Sequence, residues 1–191
     1  MKKILVLLLA CMLSAIVSAQ EHLTFKGIPI DGKLTAFISK LKAQGFQELG
    51  VVDNFALLKG DFGGEKCEIA IYASKNTNIV YQAVVILEES NSWASLKSTY
   101  REYKSLLKSK YGSGESYEDF SSPYYEGDGY EMTAIRCNKC TYFTKFNTYN
   151  GKISLHIGNI SSGAAVVLYY EDKINNEIAT REESSQRIND L

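Results

Sequence analysis

Tight turns recur between segments of alternating apolar and polar residues, and this pattern leaves the chain few architectures. Residues 65–73 and 153–157 alternate in this way, which is typical of strands with one buried face. The pairs Gly63-Gly64 and Asn150-Gly151 that precede them are strong hairpin-turn sequences. Because strands joined by short turns pair antiparallel, the sequence predicts an antiparallel sheet of about six to eight strands.

Two segments show helical rather than strand periodicity. An apolar stripe covers residues 34–41, with Asp31 as its predicted N-cap and Gly45 as its predicted end. A longer stripe covers residues 93–107 and ends at Gly112. We expect these two main helices to pack on the sheet, which makes the fold class α+β.

The order of elements bears on domain organisation. Residues 20–191 suit a single α+β domain. A helix followed by three hairpin-linked strands occurs in each of the halves 20–90 and 91–191, which favours an internal α-β-β-β duplication. The residues after Asp172 predict a tail helix, and residues 131–148 read as rich in strand.

The first residues have the features of an export signal. Lys2 and Lys3 precede an apolar run at residues 4–17, and small side chains follow up to Ala19. The run is shorter than the roughly 20 residues of a membrane span. We therefore expect residues 1–19 to be a signal peptide and the protein to be periplasmic or extracellular. A short lipobox-like sequence ending at Cys11 leaves lipid anchoring as the rival interpretation.

The charge balance limits the classes of partner. The chain has 21 basic and 22 acidic side chains. Loss of Lys2 and Lys3 with the signal moves the net charge from −1 to −3. Without a strong positive field, electrostatic capture of nucleic acid is not expected. The mature chain also has no second apolar run of spanning length, so we expect it not to span a membrane.

Tyrosine is the unusual component of the composition. The 13 tyrosines, with only two prolines, predict a sheet with aromatic faces. Residues 113–130 form the least regular stretch, and such loops are commonly functional or disordered. Its tyrosines are therefore the predicted ligand-binding residues: Tyr117, Tyr124, Tyr125 and Tyr130. The expected function is a non-catalytic binding module for a protein or an envelope polysaccharide.

The same stretch supports an alternative in another class. Glu118, Asp119, Glu126 and Asp128 lie beside these tyrosines. Secreted glycoside hydrolases use two carboxylates, so a secreted hydrolase with its site in residues 113–130 is the second hypothesis. No nucleophile elbow or phosphate-binding loop occurs in the chain, and no individual catalytic residue is predicted.

Cys137 and Cys140 form a Cys-x-x-Cys sequence. The β-branched and aromatic residues after it argue against a redox site, which needs a helix there. Only Cys67, His22 and His156 remain as further thiol or imidazole ligands, too few and too scattered to predict a zinc site. We expect a hairpin turn at residues 138–139, with the two cysteines free or joined in a disulfide, and no cofactor or metal.

Several turn and cap sequences also carry a resemblance. The segments 25–32, 40–46, 58–63, 110–112 and 169–172 resemble small secreted proteins of gut Bacteroidetes that have no assigned activity. The repeated helix-plus-sheet order also looks like β-lactamase-inhibitor-type domains, which bind other proteins with the concave face of the sheet. Because the shared residues are turn glycines and caps, this resemblance implies a fold and no active site.

Overall fold

The computed structural model describes residues 22–160 and 163–189. The predicted signal peptide and Cys11 lie outside the described residues. Within those ranges the chain forms ten strands and four helices. The predicted α+β class is confirmed, since eight of the strands form one antiparallel sheet.

The elements have the following bounds. The strands are β1 (Thr24–Phe25), β2 (Ile28–Pro29), β3 (Gln47–Val52), β4 (Phe55–Phe62), β5 (Glu65–Ala73), β6 (Val80–Leu87), β7 (Glu115–Phe120), β8 (Cys140–Thr148), β9 (Gly151–Ile160) and β10 (Gly163–Asp172). The helices are α1 (Leu34–Ala43), α2 (Trp93–Tyr111), α3 (Glu131–Arg136) and α4 (Lys173–Asn189).

The large sheet is built from two runs of neighbouring strands that meet in its middle. Its order is β3-β4-β5-β6-β10-β9-β8-β7, so β6 and β10 are central and β3 and β7 are the edges. β1 and β2 form a separate two-stranded sheet. Four strands follow α1 and four follow α2, where the sequence predicted three after each.

Helices cover one face of the large sheet. The main apolar core joins buried residues of α1, α2 and α3 to one set of alternating strand positions. Tyr100 of α2 is the largest fully buried side chain, and its hydroxyl pairs with the Thr144 hydroxyl of β8 at 2.6 Å. The buried stripes predicted for residues 34–41 and 93–107 therefore form this core. Four helices occur among the described residues, rather than two main ones.

The ends of α1 and α2 follow local sequence rules. Gly45 has a φ of 92°, and the amide of Phe46 bonds the Leu41 carbonyl at 3.2 Å, which gives a Schellman cap. The Ser92 hydroxyl accepts from the Ser95 amide at the start of α2. The prediction for Asp31 is wrong, because Lys33 is the N-cap residue of α1 and no side-chain bond caps it.

The segment with the two nearby cysteines differs from the prediction. Residues 131–136 form α3 rather than strand, because Ala134 and Ile135 are buried in the core on one side of a short helix. Asn138 has a φ of 54°, and the Lys139 amide bonds the Ala134 carbonyl at 2.7 Å. The Cys-x-x-Cys turn is thus a helix C-cap leading into β8, not a hairpin.

The last helix is tied to the start of the described chain. Asp172 is fully buried and ends β10, where its carboxylate accepts from the amides of Leu23 at 2.7 Å and Asn175 at 2.9 Å. The His22 ring lies 3.1 Å from the same carboxylate. Among the described residues, no helix combines the length and apolar character that crossing a membrane requires.

Candidate functional site: the open face of the sheet

The second face of the large sheet has its own small apolar cluster. Its buried members are Ala70, Val84, Ala165 and Val167, ringed by half-buried side chains such as Leu57 and Ile86. Every residue of this cluster belongs to a strand, and among the described residues no helix side chain joins it. We call this surface, made by strand side chains that point away from α1, α2 and α3, the open face.

A line of rings crosses the open face. It runs from β4 to β7, and we call it the aromatic row; its members are Phe55, Tyr72, Tyr169, His156, Phe143 and Tyr117. The ring centroids of Phe55 and Tyr72 are 5.2 Å apart, those of Tyr169 and His156 are 5.1 Å apart, and those of His156 and Phe143 are 4.7 Å apart. Tyr117 is the register partner of Phe143. Six strands thus contribute a ring to this row; the rings of β4 and β5 touch, as do those of β10, β9 and β8, and β6, which lies between the two groups, contributes no ring to the row.

Burial favours the neutral form of His156 and Tyr169, two rings of the row. Burial lowers the pKa of His156 below its usual 6.5, which keeps the imidazole neutral. Burial, and secondarily the neighbouring Tyr72, raise the pKa of Tyr169. The His156 Nε2 atom lies 3.1 Å from the Ser154 hydroxyl. The aromatic row is therefore an uncharged surface with polar atoms at its margins.

The charges around the row neutralise one another. The strands carry four lysines, all at open-face positions, and each is a cross-strand neighbour of an acid. The pairs are Lys59 with Glu68, Lys66 with Asp61, Lys145 with Glu115, and Lys152 with Glu171. Two of these pairs close as ion pairs, at 2.9 Å for Lys66 and 2.7 Å for Lys152. The open face consequently presents four lysine–acid pairs of alternating charge, with Asp119 of β7 as one further acid.

A cleft of about 530 Å³ lies at one end of the open face, where β4 and β6 end and β5 begins. Gln47, Lys59, Glu68 and Glu88 line it, and the apolar side chain of Ile86 continues from it toward the aliphatic centre of the face. The buried Cys67 also borders the cleft, and burial raises the pKa of its thiol to about 11. That thiol is protonated at neutral pH, so it is a poor nucleophile.

The four tyrosines predicted as ligand-binding residues do not lie on one side of the sheet. Tyr117 is in the aromatic row and is exposed, whereas Tyr124 packs against the core on the helix side. Tyr125 and Tyr130 are exposed in the loop between β7 and α3. The structure therefore brings only Tyr117 to the open face.

The four acids named in the hydrolase hypothesis are each engaged by nearby groups. Glu126 accepts from the Lys97 ammonium and from the Tyr142 hydroxyl, and the Lys97 bond leads the causes that lower the pKa of its carboxyl. Asp128 accepts from the amides of Tyr125 and Tyr130.

The other two acids named in that hypothesis have local partners as well. Glu118 pairs with Lys104 of α2, and Asp119 accepts from the Phe120 amide. Neither the 530 Å³ cleft nor a second cavity of about 260 Å³ beside α3 is lined by residues 113–130.

Three cysteines lie among the described residues. Cys67, Cys137 and Cys140 are free thiols, and burial raises the pKa of Cys140 to about 12. The predicted disulfide between Cys137 and Cys140 stays a prediction. Across the ranges the structure describes, no group of three or more histidine, cysteine, aspartate or glutamate side chains is placed to hold a metal ion.

The fold and the open face together define an antiparallel α+β protein with helices on one side of its sheet. No protein-family model, curated protein or solved structure matches the chain.

Sequence reasoning anticipated an aromatic sheet but not which rings come together. The alternation of residues 153–157 predicts that His156 points away from the buried side chains of its strand, as it does. The available signal was the position of Phe55, Tyr72 and Tyr169, which alternate with the core-facing residues of their strands. An aromatic ring on the side of a strand that faces away from the helices points to a second packed or binding surface.

Proposed function

We propose that this protein is an exported, non-catalytic binding module and that the open face is its binding surface. The observation that carries the proposal is the aromatic row. Rings from six strands, half-buried except for the exposed Tyr117, lie on a face to whose apolar cluster no helix side chain of the described chain belongs. Export follows from the predicted signal peptide of residues 1–19, which makes a cell-envelope or extracellular ligand the natural partner.

The size of the open face supports a macromolecular ligand. Eight strands at about 4.8 Å spacing, each about 25 Å long, give a surface of roughly 1,000 Å². A standard macromolecular interface uses about 800 Å² on each partner. The open face therefore has room for a complete interface, whereas the 530 Å³ cleft at its end has the volume of a small-molecule pocket.

The hydrolase hypothesis receives no comparable support. Glu118, Asp119, Glu126 and Asp128 are held by Lys97, Lys104 or backbone amides, and neither cavity described above is lined by them. A glycoside hydrolase needs two carboxyls facing one another across a space for the sugar. The secreted hydrolase therefore stays a prediction from the sequence.

Co-sedimentation with an envelope fraction of the parent organism tests the binding module. Purified mature protein is compared with Tyr72→Ala/Tyr169→Ala, which removes two rings from the aromatic row. The matched control is Tyr125→Ala/Tyr149→Ala, which removes two exposed rings elsewhere (65% and 91% exposed). We expect the first double variant to lose sedimentation and the control to retain it.

The opposite pattern would place binding on the loop side of the molecule, and equal retention by both variants would remove the open face as the site. Folding is monitored through the fluorescence of Trp93, because that ring packs on Phe120 and Tyr142 on the helix side of the sheet.

We also propose that the two halves of the sheet derive from an internal duplication. The strand order is mirrored about its middle, with β3-β4-β5-β6 after α1 and β10-β9-β8-β7 after α2. The helix α3 interrupts only the second half. Superposition of residues 34–87 on residues 93–172 should align the helix and all four strands in order, and a best fit that pairs strands out of order would contradict the duplication.

A further inference from the structure

The shape of the aromatic row favours an elongated ligand. Its rings lie on β4, β5, β10, β9, β8 and β7, the centroids of the three ring pairs in contact are 4.7–5.2 Å apart, and β6, between β5 and β10, contributes no ring to the row. A compact ligand would contact two or three of these rings and leave the others unused. A linear chain laid across the strands contacts all of them in turn.

The inclination of the rings restricts the form of that chain. Phe55 and Tyr72 are inclined by 57°, Phe143 and His156 by 60°, and His156 and Tyr169 by 72°. Such rings share no plane, so they cannot serve as a flat platform. They can receive a single chain whose successive units are turned relative to one another, with C–H groups resting on the rings.

The electrostatics of the face favour an uncharged chain. Lys59, Lys66, Lys145 and Lys152 each have an acid as cross-strand neighbour. A polyanion would gain from the lysines only what it loses to their acidic neighbours. Hydroxyl groups, which donate and accept hydrogen bonds, match such alternating carboxylates and ammonium groups without needing a net field.

The composition of the face argues against a protein partner. Protein interfaces are enriched in arginine, methionine and tryptophan and are depleted in lysine and acids. The ten strands contain no arginine, methionine or tryptophan, and they contain four lysines. Tyrosine and phenylalanine are the features that the open face shares with such interfaces.

We infer that the aromatic row binds a single chain of an uncharged polysaccharide, with Tyr72 and Tyr169 as stacking residues and the lysine–acid pairs as hydroxyl-binding groups. This inference rests on the proposed function, since it names the class of ligand for the same open face.

Isothermal titration calorimetry with defined hexasaccharides tests the inference. The probes are cellohexaose, mannohexaose, maltohexaose and xylohexaose, with hexagalacturonate as the acidic counterpart. We expect at least one neutral hexasaccharide to bind, and Tyr72→Ala/Tyr169→Ala to weaken it at least about tenfold, a change of about 1.4 kcal/mol. Tyr125→Ala/Tyr149→Ala should bind as the unsubstituted protein does.

Three results would overturn the ligand class. They are no binding of any neutral hexasaccharide at millimolar concentration, tighter binding of hexagalacturonate than of every neutral probe, or equal binding by both double variants. If no sugar binds while envelope sedimentation still depends on Tyr72 and Tyr169, the binding module stands and the polysaccharide is wrong. If sedimentation is also independent of these residues, both proposals fail.

The envelope assay adds a separate check on the ligand class. Protease treatment of the envelope fraction should leave sedimentation unchanged if the ligand is a polysaccharide. Loss of sedimentation after protease treatment would contradict the inference and would identify a protein as the ligand.

Discussion

Asp172 connects the first and last described segments of the chain, and its replacement should be costly. Its side chain is fully buried and accepts bonds from the amides of Leu23 and Asn175 and from the His22 ring. Asp172→Ala leaves two buried amide donors without partners, at about 1–3 kcal/mol each; the bond to the Asn175 amide is the N-cap bond of α4, so the cap adds no separate loss. We therefore expect the free energy of unfolding to fall by about 2–6 kcal/mol.

Urea denaturation followed by Trp93 fluorescence measures this loss. Asp172→Asn keeps one acceptor oxygen, so its loss in free energy of unfolding should be about half that of the alanine variant. The control is Asp61→Ala, which removes an exposed ion pair with Lys66 and should cost less than about 1 kcal/mol. A loss below about 1 kcal/mol for Asp172→Ala would refute the anchoring role of this carboxylate.

Three further outcomes are expected from the packing. Tyr100→Phe should lower the free energy of unfolding, measured in urea, by about 0.5–1.5 kcal/mol, because it removes the buried hydrogen bond to Thr144. Thr144 keeps its hydrogen bond to Ser116. An unchanged free energy of unfolding would show that the Tyr100–Thr144 bond contributes nothing. Gly60→Ala should lower the free energy of unfolding by about 1–3 kcal/mol, because the added methyl group would overlap the buried Phe46 ring. An unchanged free energy of unfolding would mean that the Phe46 ring moves aside without cost. The lowered pKa of His156 means that the unfolded chain binds a proton more readily, so stability should fall as pH drops from about 7 to 5. In His156→Gln that decline should be smaller, and an identical pH profile would show that the ring is not buried as described.

Much of the fold follows from local patterns because those patterns are set by packing on one face. Gly63-Gly64 and Asn150-Gly151 both join antiparallel neighbours in the sheet, as predicted. The apolar stripe of residues 34–41 is buried as expected, and Gly45 ends its helix with the predicted cap. In each case the residues that decide the structure lie within one or two turns of one another.

Contacts between distant residues explain what was missed. Asp31 is not a helix cap because its carboxylate accepts from Asn175, which is 144 residues away. The short helix α3 has only six residues, too few to show a helical period, and Asn138 suits a helix cap as well as a hairpin turn. The aromatic row combines six strands, so it became visible only once the strand order was known.

Hydroxyl-radical footprinting of the protein bound to its envelope fraction tests the open face most directly, because radicals label exposed aromatic side chains. The account predicts that labelling of Tyr72 and Tyr169 falls on binding, while labelling of Tyr125, Tyr130 and Tyr149 is unchanged. Protection of Tyr125 and Tyr130, with Tyr72 and Tyr169 labelled as in the free protein, would contradict it and would assign binding to the loop between β7 and α3.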